Sequence, residues 1–201
     1  MENYDLIRKL FLTYGINSVT MDDIAANIHV SKKTIYKEYT CKDELVNEFF
    51  ISDYYEFKRQ LKILKKENSD AIDKTIHLYK VILTKLFSIN SCVLYDLKKY
   101  YPTLLNSLVL QYRKCIVDYF VFILQCGETE GLFHNKICIN SIANMFSFLF
   151  EAYVFNHISG TTEKIKFQWN EFLDYHFMSV CTLSGVQKWE AAKAKLSRQI
   201  T

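Results

Sequence analysis

Residues 20–39 read TMDDIAANIHVSKKTIYKEY. Two short amphipathic segments stand back to back in this stretch, with neither proline nor glycine between them. In the first, Thr20 and Asp23 form a capping box, with Asp in the more usual Glu place. Ile24, Ala25 and Ile28 then share an apolar face at helical spacing. In the second, Ser31 is a good N-cap. Ile35 and Tyr39, four residues apart, turn inward, while Lys32, Lys33, Tyr36 and Lys37 turn outward. The joint His29-Val30-Ser31 leaves room only for a tight turn. The stretch therefore predicts a small helix clamping a second one that is basic and edged with aromatic rings.

The flanks extend the pattern. Residues 3–14 put Leu6, Ile7, Leu10 and Phe11 on one helical face, and Gly15 follows where a helix end favours positive φ. Cys41-Lys42-Asp43-Glu44 opens a much longer helix, whose seam is Val46, Phe50, Tyr54, Phe57, Leu61 and Leu64. A polar break at residues 65–70 precedes a helix over 72–88. Asn90-Ser91 caps a short helix over 92–100, and Pro102 suits the first turn of the next. In that long helix Leu105, Leu108, Tyr112, Ile116, Tyr119, Phe120 and Ile123 share a face, and Gly127 and Gly131 are expected to end it. Residues 139–157 and much of 167–183 are apolar on nearly all sides. Residues 186–199 are amphipathic.

One proline and five glycines in 201 residues, with 50% hydrophobic residues, point to an all-α protein with ample core. The net charge of +3 is small, but its distribution is uneven. From His29 to Lys42, four lysines (Lys32, Lys33, Lys37 and Lys42) stand against the single acid Glu38, in an otherwise acidic N-terminal region. No secretory h-region and no membrane-length apolar run is visible, so a cytoplasmic protein with no membrane contact is expected. Cys41, Cys92, Cys115, Cys126, Cys138 and Cys181 are scattered and are expected to be reduced thiols inside helices.

Three short helices, with the second and third joined tightly, are the layout of a helix-turn-helix module. A basic third helix laid in the major groove releases counterions from phosphates and brings its first residues to base edges. The run from Ile7 to Phe49 also resembles the DNA-binding domain of TetR-type transcriptional regulators. In that family a helix ending at Gly precedes T-x-x-D-I-A, then V-S-K-x-T-[LI]-Y-x-[YH]-F, then x-[SN]-K-[ED]-[ED]-L. Here the matching segments are LFLTYG, TMDDIA, VSKKTIYKEY and CKDEL. YDLKKYYPTL further along resembles a helix junction of many members.

The resemblance implies backbone contacts from Thr34, Tyr36 and Lys42, and base-edge contacts from Lys32, Lys33 and Lys37. Several positions depart from the pattern. His29 replaces the usual Gly before Val30, which alters the turn or adds a phosphate contact. Lys33 replaces a Gly and adds charge. Tyr39 replaces Phe. Cys41 stands at the usual Ser/Asn cap, so capping is weaker there unless Thr40 substitutes.

The expected organisation is a DNA-binding unit over residues 1–45 and a larger helical unit over 46–201 that dimerises and holds a small apolar effector. The resemblance implies a homodimer on a near-palindromic operator in double-stranded DNA, acting as a ligand-responsive repressor. It places the dimer helices at Ile139–His157 and Lys164–Leu183. No phosphate loop, nucleophile elbow or H-E-x-x-H is present, so neither an enzyme nor a cofactor is expected. His134, His157 and His176 lack metal-ligand spacing. Cys41, beside Lys42 at a helix start, has a thiolate-favouring setting, but the reading of an inert small residue is preferred. Two alternatives stay open. One is an architectural or cell-cycle DNA-binding dimer of this fold without an effector. The other is a helical carrier or enzyme for apolar ligands whose basic helix is incidental, which predicts no DNA binding even at low salt.

Overall fold

The computed structural model of the chain describes residues 2–87, 89–159 and 178–197. Nine helices lie within them: α1 (Glu2–Tyr14), α2 (Met21–Asn27), α3 (Lys32–Glu38), α4 (Lys42–Lys66), α5 (Ala71–Phe87), α6 (Ser91–Tyr100), α7 (Pro102–Thr129), α8 (Ile139–Ser159) and α9 (Leu183–Ser197). The expected segments 164–177 and 198–199 lie outside the described residues. Among the described residues no helix is long and apolar enough to cross a membrane.

Two apolar cores run one into the other along α4. The front core holds Ile7, Leu10 and Phe11 of α1, Ile24 and Ala25 of α2, Ile35 of α3, and Val46, Phe49, Phe50 and Tyr54 of α4. It is completed by Val93 and Leu97 of α6 and Leu104 and Leu108 of α7. Three residues after Tyr54, Phe57 belongs to the rear core with Leu61, α5, the later part of α7, α8 and α9. The predicted α4 seam is thus buried from Val46 to Leu61, and one rigid rod serves both cores.

Ionic and polar groups mark the crossing. Asp53 of α4 accepts from Arg8 Nη1 at 2.9 Å and pairs with Lys85 of α5. The Tyr112 hydroxyl of α7 lies within 3.5 Å of the same carboxylate. Burial pulls the Lys85 ammonium below its usual value, although Asp53 opposes this. At the far end of α4, Lys74 turns back to cap the last turn, donating to the Glu67 carbonyl at 2.9 Å and to Ser69. Lysine near a helix C-terminus also complements its dipole.

Gly127 does not end α7, as the sequence suggested; the helix passes through it to Thr129, and Gly131 supplies the positive φ of +72. The reason lies in packing. The chain folds straight back, with the Leu132 and Phe133 N–H groups donating to the Gly127 carbonyl at 2.9 and 3.0 Å. A Cβ on Gly127 would fall 2.0 Å from the Phe133 ring. Gly127→Ala should therefore cost about 1–3 kcal/mol by overpacking, lowering Tm by about 2–4 °C for each kcal/mol. An unchanged melting curve would show that Phe133 moves aside freely.

Beyond this turn, Phe133 and Cys181 form an isolated antiparallel bridge. Within it His134 N–H donates to the Val180 carbonyl, and Thr182 N–H to that of Leu132, both at 2.9 Å. This strap fixes the start of α9 against the end of α7. All six cysteines are free thiols. Only Cys92, Cys115 and Cys126 sit inside helices; Cys41 and Cys138 precede α4 and α8, and Cys181 lies in the strap. The expectation of six helical cysteines is corrected to that extent.

Candidate nucleic-acid interface

Capping makes the α2–α3 unit rigid. Asp23 N–H donates to Thr20 Oγ1 at 3.1 Å, and Thr20 N–H donates back to Asp23 Oδ2 at 2.8 Å. The Thr20 hydroxyl, which donates to Asp23 Oδ2 at 2.6 Å, and then the Thr20 N–H hold the Asp23 carboxyl below its usual value. At the other end of α2, Val30 N–H reaches the Ala25 carbonyl at 3.0 Å and His29 N–H reaches that of Ala26 at 3.3 Å. That nested pair is a Schellman motif, with His29 in the left-handed position at φ +57. The turn is therefore kept, and His29 is forced into a conformation that glycine adopts at no cost. His29→Gly should stabilise the protein by up to about 1–2 kcal/mol, read as a rise in Tm. If DNA affinity falls while Tm rises, the imidazole touches a phosphate; if affinity holds, His29 serves the turn alone.

Ser31 caps α3, accepting Thr34 N–H at 3.1 Å, and its hydroxyl lies 2.8 Å from that of Thr34. Ile35 is buried against α1 and α2 at 2% exposure. Tyr39 is half-buried, and burial followed by the nearby Glu48 carboxylate pushes its hydroxyl up to about 12. The opposite face is open: Lys32, Lys33, Thr34, Tyr36 and Lys37 are all exposed. Of the six predicted residues, these five therefore share one face.

Their electrostatic situations differ. Lys32 Nζ bonds Asp22 Oδ2 at 2.8 Å and lies 5.9 Å from the Tyr36 ring centre. The hydrogen bond to Asp22 raises the Lys32 pKa. So exposed a pair is weak and screened by salt, and a phosphate can replace it. Lys33 and Lys37 have no ion-pair partner among the described residues.

Lys42, the sixth, is set apart at the first position of α4. It is half-buried and donates to the Asn17 carbonyl at 3.1 Å. Burial lowers its pKa, against the pull of Asp96, Asp43 and Asp23. Two of its three protons remain for an anion. Beside it Cys41 makes no side-chain cap, as its chemistry suggested. Thr40 does not take over the cap either. Its N–H and hydroxyl donate to Glu44 Oε2 at 2.7 and 2.8 Å, so the side chain reaches backwards and leaves the first N–H groups of α4 open. Open N–H groups at a helix start suit a phosphate.

Two anchors of this face escaped the sequence reading. Buried Asp96 of α6 accepts the Asn17 N–H at 2.8 Å, and the Tyr101 hydroxyl donates to Asp43 Oδ1 at 3.0 Å. The only signal for the first was an acid standing between Val93 and Leu97, on the side of α6 that packs. The second had none.

Comparison with known proteins agrees with this geometry. Residues 4–49 match the family described as bacterial regulatory proteins, tetR family. The chain is 32% identical over 87 residues to the uncharacterized HTH-type transcriptional regulator YvaF of Bacillus subtilis (strain 168). That match covers 42% of this chain and spans less than half of the relative, 45% of its length. Among solved structures, a TetR transcription regulator from Haloarcula marismortui shares the fold with a TM-score of 0.72 at 13% identity, over 90% of this chain and 97% of the other. SmeT, the repressor of the Stenotrophomonas maltophilia multidrug efflux pump SmeDEF, does so with a TM-score of 0.60 at 14% identity, over 91% and 90%. The all-α fold, the capped basic helix and the matched segment agree: residues 4–49 of this chain are similar to the DNA-binding segment of the tetR family of bacterial regulatory proteins, and the fold is that of solved TetR regulators.

Proposed function

We propose that the protein binds a near-palindromic operator in double-stranded DNA as a homodimer and represses transcription until a small apolar effector releases it. Residues 1–45 read the DNA, and residues 46–201 dimerise and bind the effector. The observation that carries this reading is the exposed face of α3, with Lys32, Lys33, Tyr36 and Lys37 outward and Ile35 locked inward. Lys32, Lys33 and Lys37 contact base edges, where lysine donates to guanine O6 and N7. Thr34, Tyr36 and Lys42 hold phosphates and set the register. The protein works in the cytoplasm and catalyses no reaction.

Dimerisation is supported by α8, which leaves Met145 and Phe148 at 50% and 62% exposure, large apolar side chains that a partner would cover. A two-fold dimer presents its two recognition helices to major grooves about 34–36 Å apart. Effector coupling is supported by α4, which runs unbroken from Lys42 in the DNA face into the rear core. A ligand that shifts α4 changes the spacing of the two recognition helices, so that both half-sites are no longer engaged together.

The test is binding of purified protein to its own promoter and to scrambled DNA over a salt series, with stoichiometry measured. Tight binding to the promoter alone, with a steep salt slope and two chains per site, supports the proposal. Equal weak binding to both favours the architectural reading, and no binding at low salt rejects DNA recognition by α3.

A further inference from the structure

Helix α6 is stitched to the DNA-binding unit along its length. Just before its first turn, Asn90 Nδ2 donates to the Leu12 carbonyl of α1. In its middle, Asp96 Oδ2 accepts the Asn17 N–H at 2.8 Å. Past its end, the Tyr101 hydroxyl donates to Asp43 Oδ1 at 3.0 Å. Val93 and Leu97 of the same helix lie in the front core. The middle tie leads furthest. The Asn17 carbonyl accepts Lys42 Nζ at 3.1 Å, so one loop residue joins a buried carboxylate to the lysine that opens α4.

The loop is shaped around that carboxylate. Asp96 is 8% exposed, and a charge so buried is costly unless it is hydrogen-bonded. Gly15 has φ +79, and a Cβ there would stand 2.9 Å from Asp96 Oδ2. The chain thus passes close over the carboxylate and presents the Asn17 N–H to it. Charge adds to the tie: burial lowers the Lys42 pKa, and Asp96 is foremost among the acids that oppose this. A free lysine side chain samples many rotamers and gives up that freedom when it grips a phosphate. Held at its ammonium by a fixed carbonyl, Lys42 has given up part of it in advance.

We propose that Asp96 is a positioning residue for the phosphate contact of Lys42. It fixes the Asn17 backbone, and the Asn17 carbonyl holds the ammonium where the DNA backbone passes. The inference rests on the DNA-binding reading above and on the phosphate role given there to Lys42. It adds that a buried residue of α6, 79 positions along the chain from Asn17, sets the strength of that contact. A contact so supported adds affinity and salt dependence but carries no base preference.

The experiment is a double-variant cycle on the operator, titrated across salt. Its corners are wild type, Asp96→Ala, Lys42→Ala and the two changes together. Lys33→Ala combined with Asp96→Ala is the control for independent sites, and melting curves are the control for folding. Asp96→Asn is the conservative variant, because its amide oxygen can still accept the Asn17 N–H. Asn17→Pro deletes the same bond from an exposed position, and takes the place of Asp96→Ala in the cycle if that variant does not fold. Asp96→Ala is expected to weaken binding by up to the factor that Lys42→Ala produces, and to add nothing once Lys42 is alanine. The salt slope should fall by about 0.9 for each phosphate no longer neutralised. The effects of Asp96→Ala and Lys33→Ala should multiply, and Asp96→Asn should bind like wild type. The proposal is overturned if Asp96→Ala is as damaging in the Lys42→Ala background as in wild type, which makes Asp96 a general support of the front core. It is overturned equally if Asp96→Asn binds as weakly as Asp96→Ala, if the Asp96 variants bind more tightly than wild type, or if Lys42→Ala binds like wild type. If wild type binds no operator, the functional reading itself fails and the proposal with it, a result distinct from every variant outcome.

Discussion

Lys33→Ala is expected to weaken operator binding by about 1–3 kcal/mol at each half-site and to relax base preference at one position. Both recognition helices of a homodimer carry the change, so the loss to the whole complex approaches twice that, provided the half-sites act independently. Lys33 is the informative choice because it is exposed and has no ion-pair partner among the described residues, so its removal strands none of their carboxylates. Removing Lys32 would also free Asp22 and place a bare acid against the phosphates. Fold stability should be nearly unaffected, since Ser31 and Ile35 hold α3 without help from Lys33. The measurement is a pair of titrations, on the operator and on single-base variants of it. Undiminished operator affinity would remove Lys33 from the reading set.

Asp53→Ala should be strongly destabilising although it lies away from the DNA face. The carboxylate answers Arg8 of α1 and Lys85 of α5 together, and Lys85 and Asp53 have side chains only 14% and 16% exposed. Removing one member of a buried pair costs about 3–5 kcal/mol; with Arg8 a third exposed, about 2–4 kcal/mol is expected here. The loss should depend on pH. Burial already lowers the Lys85 pKa. A base that holds its proton less tightly when folded than when unfolded subtracts stability at low pH. It returns that stability as pH rises through the folded value toward the ordinary 10.5. Without Asp53 the folded value drops further, so the deficit of the variant should shrink as pH is raised from about 7 to about 9.5. Denaturant melts at the two pH values check this. A deficit independent of pH would mean that lost packing, not the loss of the carboxylate beside the buried ammonium, is responsible.

What could be read in the sequence was local. The caps at Thr20 and Ser31, the positive φ at Gly15, proline at the first turn of α7 and the seam of α4 all obey rules that span three or four residues. The outward face of α3 followed from the same spacing once Ile35 was assigned inward. What could not be read was the meeting of distant polar groups. Arg8 with Asp53 lies 45 residues apart, Asn17 with Asp96 79, and Asp43 with Tyr101 58. Each residue alone looks like ordinary solvated charge, and only the crossing of helices makes it a tie. Gly127 misled for a related reason: glycine serves as readily for close approach as for a helix end, and only the returning Phe133 ring tells which.

The strap between α7 and α9 closes a long stretch of chain on itself. Thr182 meets Leu132 across 50 residues of sequence, so the chain between them is a closed excursion whose two feet stand side by side. The entropy of closing such a loop grows only with the logarithm of its length, about 0.6 kcal/mol for each doubling. That logarithm is only part of the cost, because Ala143 and Phe146 of α8 are buried in the rear core, so a change of length that shifts α8 also costs its packing. The feet at Leu132 and Thr182 hold the two ends of the excursion together, and the outward residues Met145 and Phe148 of α8 can change without loss of that packing.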